Sequence, residues 1–135
     1  MTFSWNHRSA VVRSTAFAFL LAAGGLIVAT PALAAWASLA VDDDTSTRGG
    51  DAGYGVGTGD TKSDAESEAL KQCKKEGNKN CSIEISYKDT CGAYASSKKY
   101  AGHGTGKSEA AAKKAALGSC GDDACKIVVS DCVEN

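Results

Sequence analysis

The sequence predicts one α+β domain built from two copies of a strand–strand–helix–strand unit. Three observations predict it. Gly55, Gly57, Thr58, Gly59, Ala65, Ala69, Leu70 and Cys73 recur without a gap as Gly102, Gly104, Thr105, Gly106, Ala112, Ala116, Leu117 and Cys120, an offset of 47 residues. Cys81, Ile83, Ile85 and Ser86 recur as Cys125, Ile127, Val129 and Ser130, an offset of 44 residues. Within each copy, strand-like stretches flank one stretch of helical period. Glycines, small helix residues and cysteines are what backbone geometry and cross-links demand, so a repeat that keeps them is a repeat of structure. Six short strands and two alanine-faced helices fit a single mostly antiparallel six-stranded sheet with both helices on one face. Repeat one covers residues 35–87 and repeat two residues 88–135.

Residues 1–34 read as a signal peptide. Arg8 and Arg13 supply the positive end, an apolar run extends from Ala16 to Ala29, and Ala32-Leu33-Ala34 is a cleavage site of small residues. The cut is expected after Ala34, leaving residues 35–135 as one secreted or periplasmic domain with no integral membrane segment. The apolar run is too short for a span. Arg8 and Arg13 take two of the 15 basic residues, so 13 face 16 acidic ones in the remainder, a net charge of −3. That balance speaks against a nucleic-acid partner, which rewards a net basic face.

The first strand is the apolar segment Trp36–Val41, followed by the acidic loop Asp42–Asp51. Three neighbouring aspartates suggest Ca²⁺, yet they lack the spacing and the bidentate glutamate of a calcium loop. Residues 54–59 alternate side chain with glycine, as a strand packed closely against a neighbour would. Thr61 or Ser63 then caps a helix, with an acid three residues on. Ala65, Ala69, Leu70 and Cys73 form its inner face. Cys81–Tyr87 alternates as a half-buried strand. In the second copy Cys91–Ser96 corresponds to Trp36–Val41, Lys98 and Lys99 form the tip, and Tyr100–Thr105 is the glycine strand. Ser108 caps the second helix, and Ile127–Val129 is the last strand.

Six cysteines in a small exported domain read as a disulfide framework. Fifteen connectivities exist for six cysteines. The repeat favours Cys73 with Cys81 and Cys120 with Cys125, which leaves Cys91 for Cys132.

Laid out twice, the pattern resembles the bacterial domain of unknown function 4189 family. The matching pieces are W-A-S-L-A from Trp36, C-G-A-Y-A from Cys91, the glycine strands, the A-x-x-x-A-L-x-x-C helices ending at Cys73 and Cys120, and the C-x-I-x-I/V strands from Cys81 and Cys125. The resemblance implies a small exported bacterial domain and carries no catalytic residues to transfer. The long acidic loop stands outside the repeat and offers a surface a partner could read.

Chemistry-bearing motifs are few. Ala101-Gly-His-Gly-Thr-Gly-Lys107-Ser108 meets a relaxed phosphate-loop pattern before a helix. Its first glycine is Ala101, repeat one lacks the Lys-Ser pair, and two short-strand repeats leave no room for the parallel sheet behind such a loop. What remains is a weak anion site at Gly106, Lys107 and Ser108. His103 is the sole histidine after residue 34; Ser108 and Asp131 are its partners by residue type only, and Val56 holds the equivalent place in repeat one. No C-x-x-C pair is present, so neither a metal nor a cofactor is expected. The lysines on both helices read as solvated faces, with weak contact to an anionic surface as the second reading. Tyr54, Tyr87, Tyr94 and Tyr100 read as packing residues, or as a recognition surface. The expectation is an exported, disulfide-stabilised binding module of inhibitor, immunity or effector type with an unknown protein partner. The other readings are a small extracytoplasmic hydrolase using His103 and a passive envelope-associated protein.

Overall fold

A computed structural model describes residues 35–44 and 52–133. Residues 1–34, expected to be a signal peptide, and most of the acidic loop lie outside the described residues. Among those described, the order is β1 (Trp36–Asp42), β2 (Gly53–Gly59), α1 (Lys62–Lys75), β3 (Cys81–Lys88), β4 (Cys91–Ser96), β5 (Ala101–Gly106), α2 (Glu109–Cys120) and β6 (Lys126–Cys132). The unit is strand–strand–helix–strand twice over, the α+β arrangement expected from the repeat. All pairings are antiparallel.

The six strands do not form one sheet. They form two three-stranded sheets, ordered β2-β1-β3 and β5-β4-β6. The reason lies in the central strands. Nearly every residue of β1 and β4 is buried, so each has two apolar faces to cover. One face meets a helix: Ala40 packs with Ala69 and Cys73, and Ala93 and Ala95 pack with Ala112 and Ala116. The other face joins the two sheets, where Ala37, Leu39 and Val41 meet Tyr87, Tyr94 and Val129 in one core. A single sheet with both helices on one side would leave that second face in water. Each Leu- or Val-sized side chain so exposed would forfeit about 1.5–3 kcal/mol. The chain therefore stacks as helix, sheet, sheet and helix. The sequence carries the signal for this, since Trp36–Val41 is small or apolar throughout, as a strand covered on both faces should be.

Alternate glycines set how closely the helices lie. A Cβ at Gly57 would sit 2.2 Å from the carbonyl oxygen of Ala65 and the amide nitrogen of Ala69. A Cβ at Gly102 would sit 2.2 Å from the amide nitrogen of Cys120. Helix backbone rests directly on strand backbone, and the helix faces opposite are correspondingly alanine. Each helix is also fixed at its start. Thr61 Oγ1 accepts from the Asp64 amide at 3.2 Å, and Ser108 Oγ accepts from the Ala111 amide at 3.2 Å, each satisfying an N–H that the helix itself leaves without a partner.

Three disulfides close the unit: Cys73–Cys81, Cys91–Cys132 and Cys120–Cys125. These are the pairs the repeat selects. The first and last tie a helix end to the approach of the following strand. Cys91 and Cys132 are direct register partners on β4 and β6. Serine–glutamate bonds add a second tie between helix and strand, Ser86 to Glu66 at 2.8 Å and Ser130 to Glu109 at 2.7 Å.

Candidate functional site

A groove open to a ligand lies beside β2. This strand is the edge of its sheet, hydrogen-bonded to β1 alone among the described residues. Helix α1 lies over it, with its alanines against the glycines and its long polar side chains hanging past the edge. The result is a groove of about 610 Å³, floored by residues 52–56 and walled by Glu68, Lys71, Gln72, Lys75, Glu76 and Asn78. Tyr54 lines it and is 45% exposed. At one end the Asn78 side-chain amide donates to the Cys73 carbonyl at 2.8 Å, and its Oδ1 occupies the space where a Cβ at Gly53 would fall.

The charges on the wall are ordered. Glu68 accepts from Lys71 Nζ at 3.3 Å and from Gln72 Nε2 at 3.4 Å. The Gln72 amide and then the Lys71 ammonium hold its carboxyl below the usual glutamate value. Lys75 makes no hydrogen bond or ion pair among the described residues. The wall thus presents one matched pair, the Lys75 ammonium acting on Glu68 only through space, and the Glu76 carboxylate at the helix end.

Repeat two makes a comparison inside the same chain. At the 47-residue offset, Glu68, Lys71 and Gln72 correspond to Ala115, Gly118 and Ser119, and Tyr54 corresponds to Ala101. The second copy builds the same helix on the same glycine strand with these short side chains. The fold therefore does not require the long ones.

The residues singled out from sequence are not gathered with this groove. His103 stands on β5 opposite Tyr94 and is exposed. It makes no hydrogen bond or ion pair among the described residues. Its two partners by type are engaged elsewhere: Ser108 caps α2, and Asp131 accepts the Tyr87 hydroxyl at 3.2 Å. The Tyr87 ring covers Gly92, and burial, with the Asp131 carboxylate beside it, pushes the phenol well above the usual tyrosine range. Gly106, Lys107 and Ser108 lie at the start of α2. There the Gly106 carbonyl accepts from Thr90 Oγ1 at 2.6 Å, and the first helical turn carries Glu109, an anion of its own paired with Lys113. Among the described residues no group of three or more His, Cys, Asp or Glu side chains is placed to hold a metal, and no helix is long and apolar enough to cross a membrane.

Sequence reasoning missed two things. One is the groove, whose signal was that Glu68, Lys71, Gln72 and Lys75 recur at helical spacing on the side away from the alanines. The other is Asp42. It is 5% exposed, and its carboxylate accepts from the backbone amides of Lys79 at 2.9 Å, Asn80 at 3.1 Å and Asp44 at 3.3 Å. The end of β1 thereby holds the turn after α1. The Asn80 amide is the chief cause of the lowered Asp42 pKa, with burial opposing it.

Compared with known families, the chain matches the model described as Domain of unknown function (DUF4189) over residues 36–132, from the first residue of β1 to the last of β6. No curated protein and no solved structure matches it.

Proposed function

The chain belongs to the DUF4189 family, and we propose that it acts as an exported, disulfide-stabilised binding module whose ligand site is the groove between β2 and α1. The observation that carries this reading is the difference between the two copies. One fold unit is written twice, and only the first writing places a wall of long polar side chains along its edge strand. Residues kept for folding would be expected in both. A pocket of this volume also lies in the range that ligand sites occupy.

Export belongs to the same proposal. Residues 1–34 act as a signal peptide cut after Ala34, and residues 35–135 work as one domain in an oxidising compartment. Three disulfides and no free cysteine among the described residues fit such a compartment. Amino-terminal sequencing of the exported protein should begin at Ala35.

The binding reading is tested by affinity capture from envelope and extracellular extracts. The baits are the oxidised wild-type chain and a variant carrying Glu68→Ala, Lys71→Ala and Gln72→Ser. These changes approach the side-chain sizes found in repeat two, so the variant keeps its fold. A saturable partner held by the wild type and lost by the variant supports the proposal. A partner retained equally by both, or the absence of any saturable partner, removes it.

A further inference from the structure

We infer that the occupant of the groove is an extended peptide segment of a partner protein, added as a fourth strand along β2 and carrying a carboxylate side chain toward Lys75. The inference rests on the groove being the binding site and goes further by naming the chemistry of what enters it.

The first argument is main-chain complementarity. β2 pairs with β1 on one side only among the described residues. Along its other side, alternate N–H and C=O groups have no strand partner among the described residues. Such an edge is matched best by another extended backbone, which supplies both groups at the same spacing. The five floor residues, 52–56, extend roughly 16 Å at the rise of a strand, room for about five peptide residues.

The second argument is the pleat. Gly55 and Gly57 present no side chain toward α1, and a Cβ at either would strike helix backbone. Tyr54 and Val56 project to the opposite face of the sheet. A strand added beside β2 would continue this alternation. Its alternate residues would lie under the helix wall, and the intervening ones would lie beside Tyr54 and Val56. The groove therefore asks for polar and apolar side chains in strict alternation.

The third argument is charge. Glu68 is matched within the wall by Lys71 and Gln72, whereas Lys75 makes no hydrogen bond or ion pair among the described residues and acts on Glu68 only through space. A carboxylate on the wall-facing side of the peptide complements it, and a lysine there would meet like charge. Glu76 stands beyond Lys75 at the helix end, which confines the favourable position for an acid to the stretch facing Lys71 and Lys75.

The test uses three capped heptapeptides titrated into the oxidised, isotope-labelled full chain and followed by amide chemical shifts. The first alternates valine with glutamate. The second replaces each glutamate by lysine. The third is the first with every backbone nitrogen methylated, so that neither edge can donate. The expected result is that the glutamate peptide shifts the amides of residues 53–56. It should bind about five- to tenfold more tightly than the lysine peptide, a ratio set by exchanging an exposed attraction for an exposed repulsion. Methylation should abolish the shifts, and Lys75→Glu should reverse the charge preference with the remaining spectrum unchanged. Shifts that avoid residues 53–56, or that survive methylation, overturn the inference. If no peptide binds while the capture experiment still returns a groove-dependent partner, the strand inference falls and the binding proposal stands.

Discussion

Gly57→Ala should destabilise the protein although it adds a single methyl group. That Cβ would lie 2.2 Å from two backbone atoms of α1, against a normal carbon contact of roughly 3.5–4 Å. The helix must retreat by more than about 1 Å. It is not free to do so, because Cys73–Cys81 fixes its end and the Ser86–Glu66 bond fixes its middle. Overpacking of this kind costs about 2–3 kcal/mol. Removing a glycine from the unfolded chain returns about 0.4–1 kcal/mol, leaving a net loss near 2 kcal/mol. For a domain of this size, that lowers the melting temperature by roughly 8–16 °C. The control is Gly118→Ala, inside α2, where an added Cβ meets nothing within 4 Å. There the same substitution should stabilise by about 0.5–1 kcal/mol. Thermal unfolding of both oxidised variants by circular dichroism gives the answer. If Gly57→Ala melts at or above the wild-type temperature, close helix–strand contact is not what keeps glycine at this position.

Further predictions concern cross-links and charge. In the chain-entropy picture Cys91–Cys132, which spans 41 residues, stabilises by about 4 kcal/mol, against about 2–2.5 kcal/mol for Cys73–Cys81 and Cys120–Cys125, which span 8 and 5. Paired Cys→Ser variants, compared by urea unfolding, should rank in that order. Asp42→Asn should lose about 1–2 kcal/mol, because a charged acceptor of backbone amides becomes a neutral one. The Asp42 pKa is lowered on folding, so its contribution is full above the unfolded value near 4 and is lost as the pH falls through the folded value. The variant should therefore show a shallower loss of stability below about pH 4. The Tyr87 pKa is raised on folding. Its contribution is present below the unfolded value near 10 and fades as the pH climbs toward the folded one. Ultraviolet titration should find the Tyr87 phenol ionising only on alkaline unfolding, and Tyr87→Phe should lower the number of such tyrosines by one.

The parts of the fold that were legible are those that constrain the backbone locally. Glycine at alternate positions, a hydroxyl at Thr61 and Ser108, and cysteines at fixed offsets each have a geometric reason that survives without a structure. The division into two sheets was harder to read. It depends on Leu39, Val41 and Tyr94 finding each other across the chain, and strand alternation alone does not say whether a second face meets water or another sheet. The candidate site was harder still. Lys71 and Lys75 look like any solvated helix face until the edge position of β2 is known. His103 and the Lys107–Ser108 pair drew notice by residue type, yet among the described residues the histidine makes no hydrogen bond or ion pair, and the serine serves as a cap. Asp42 sat among three aspartates, and only the turn at Lys79 and Asn80 distinguishes it from its neighbours.

The measurement closest to the central claim is photo-crosslinking in the native compartment. A benzophenone amino acid is placed at Tyr54, in the groove, or at Ala101, its counterpart in repeat two. The account predicts a discrete cross-linked species from position 54 and none of that mass from position 101. Equal cross-linking from both positions, or none from position 54, would contradict it.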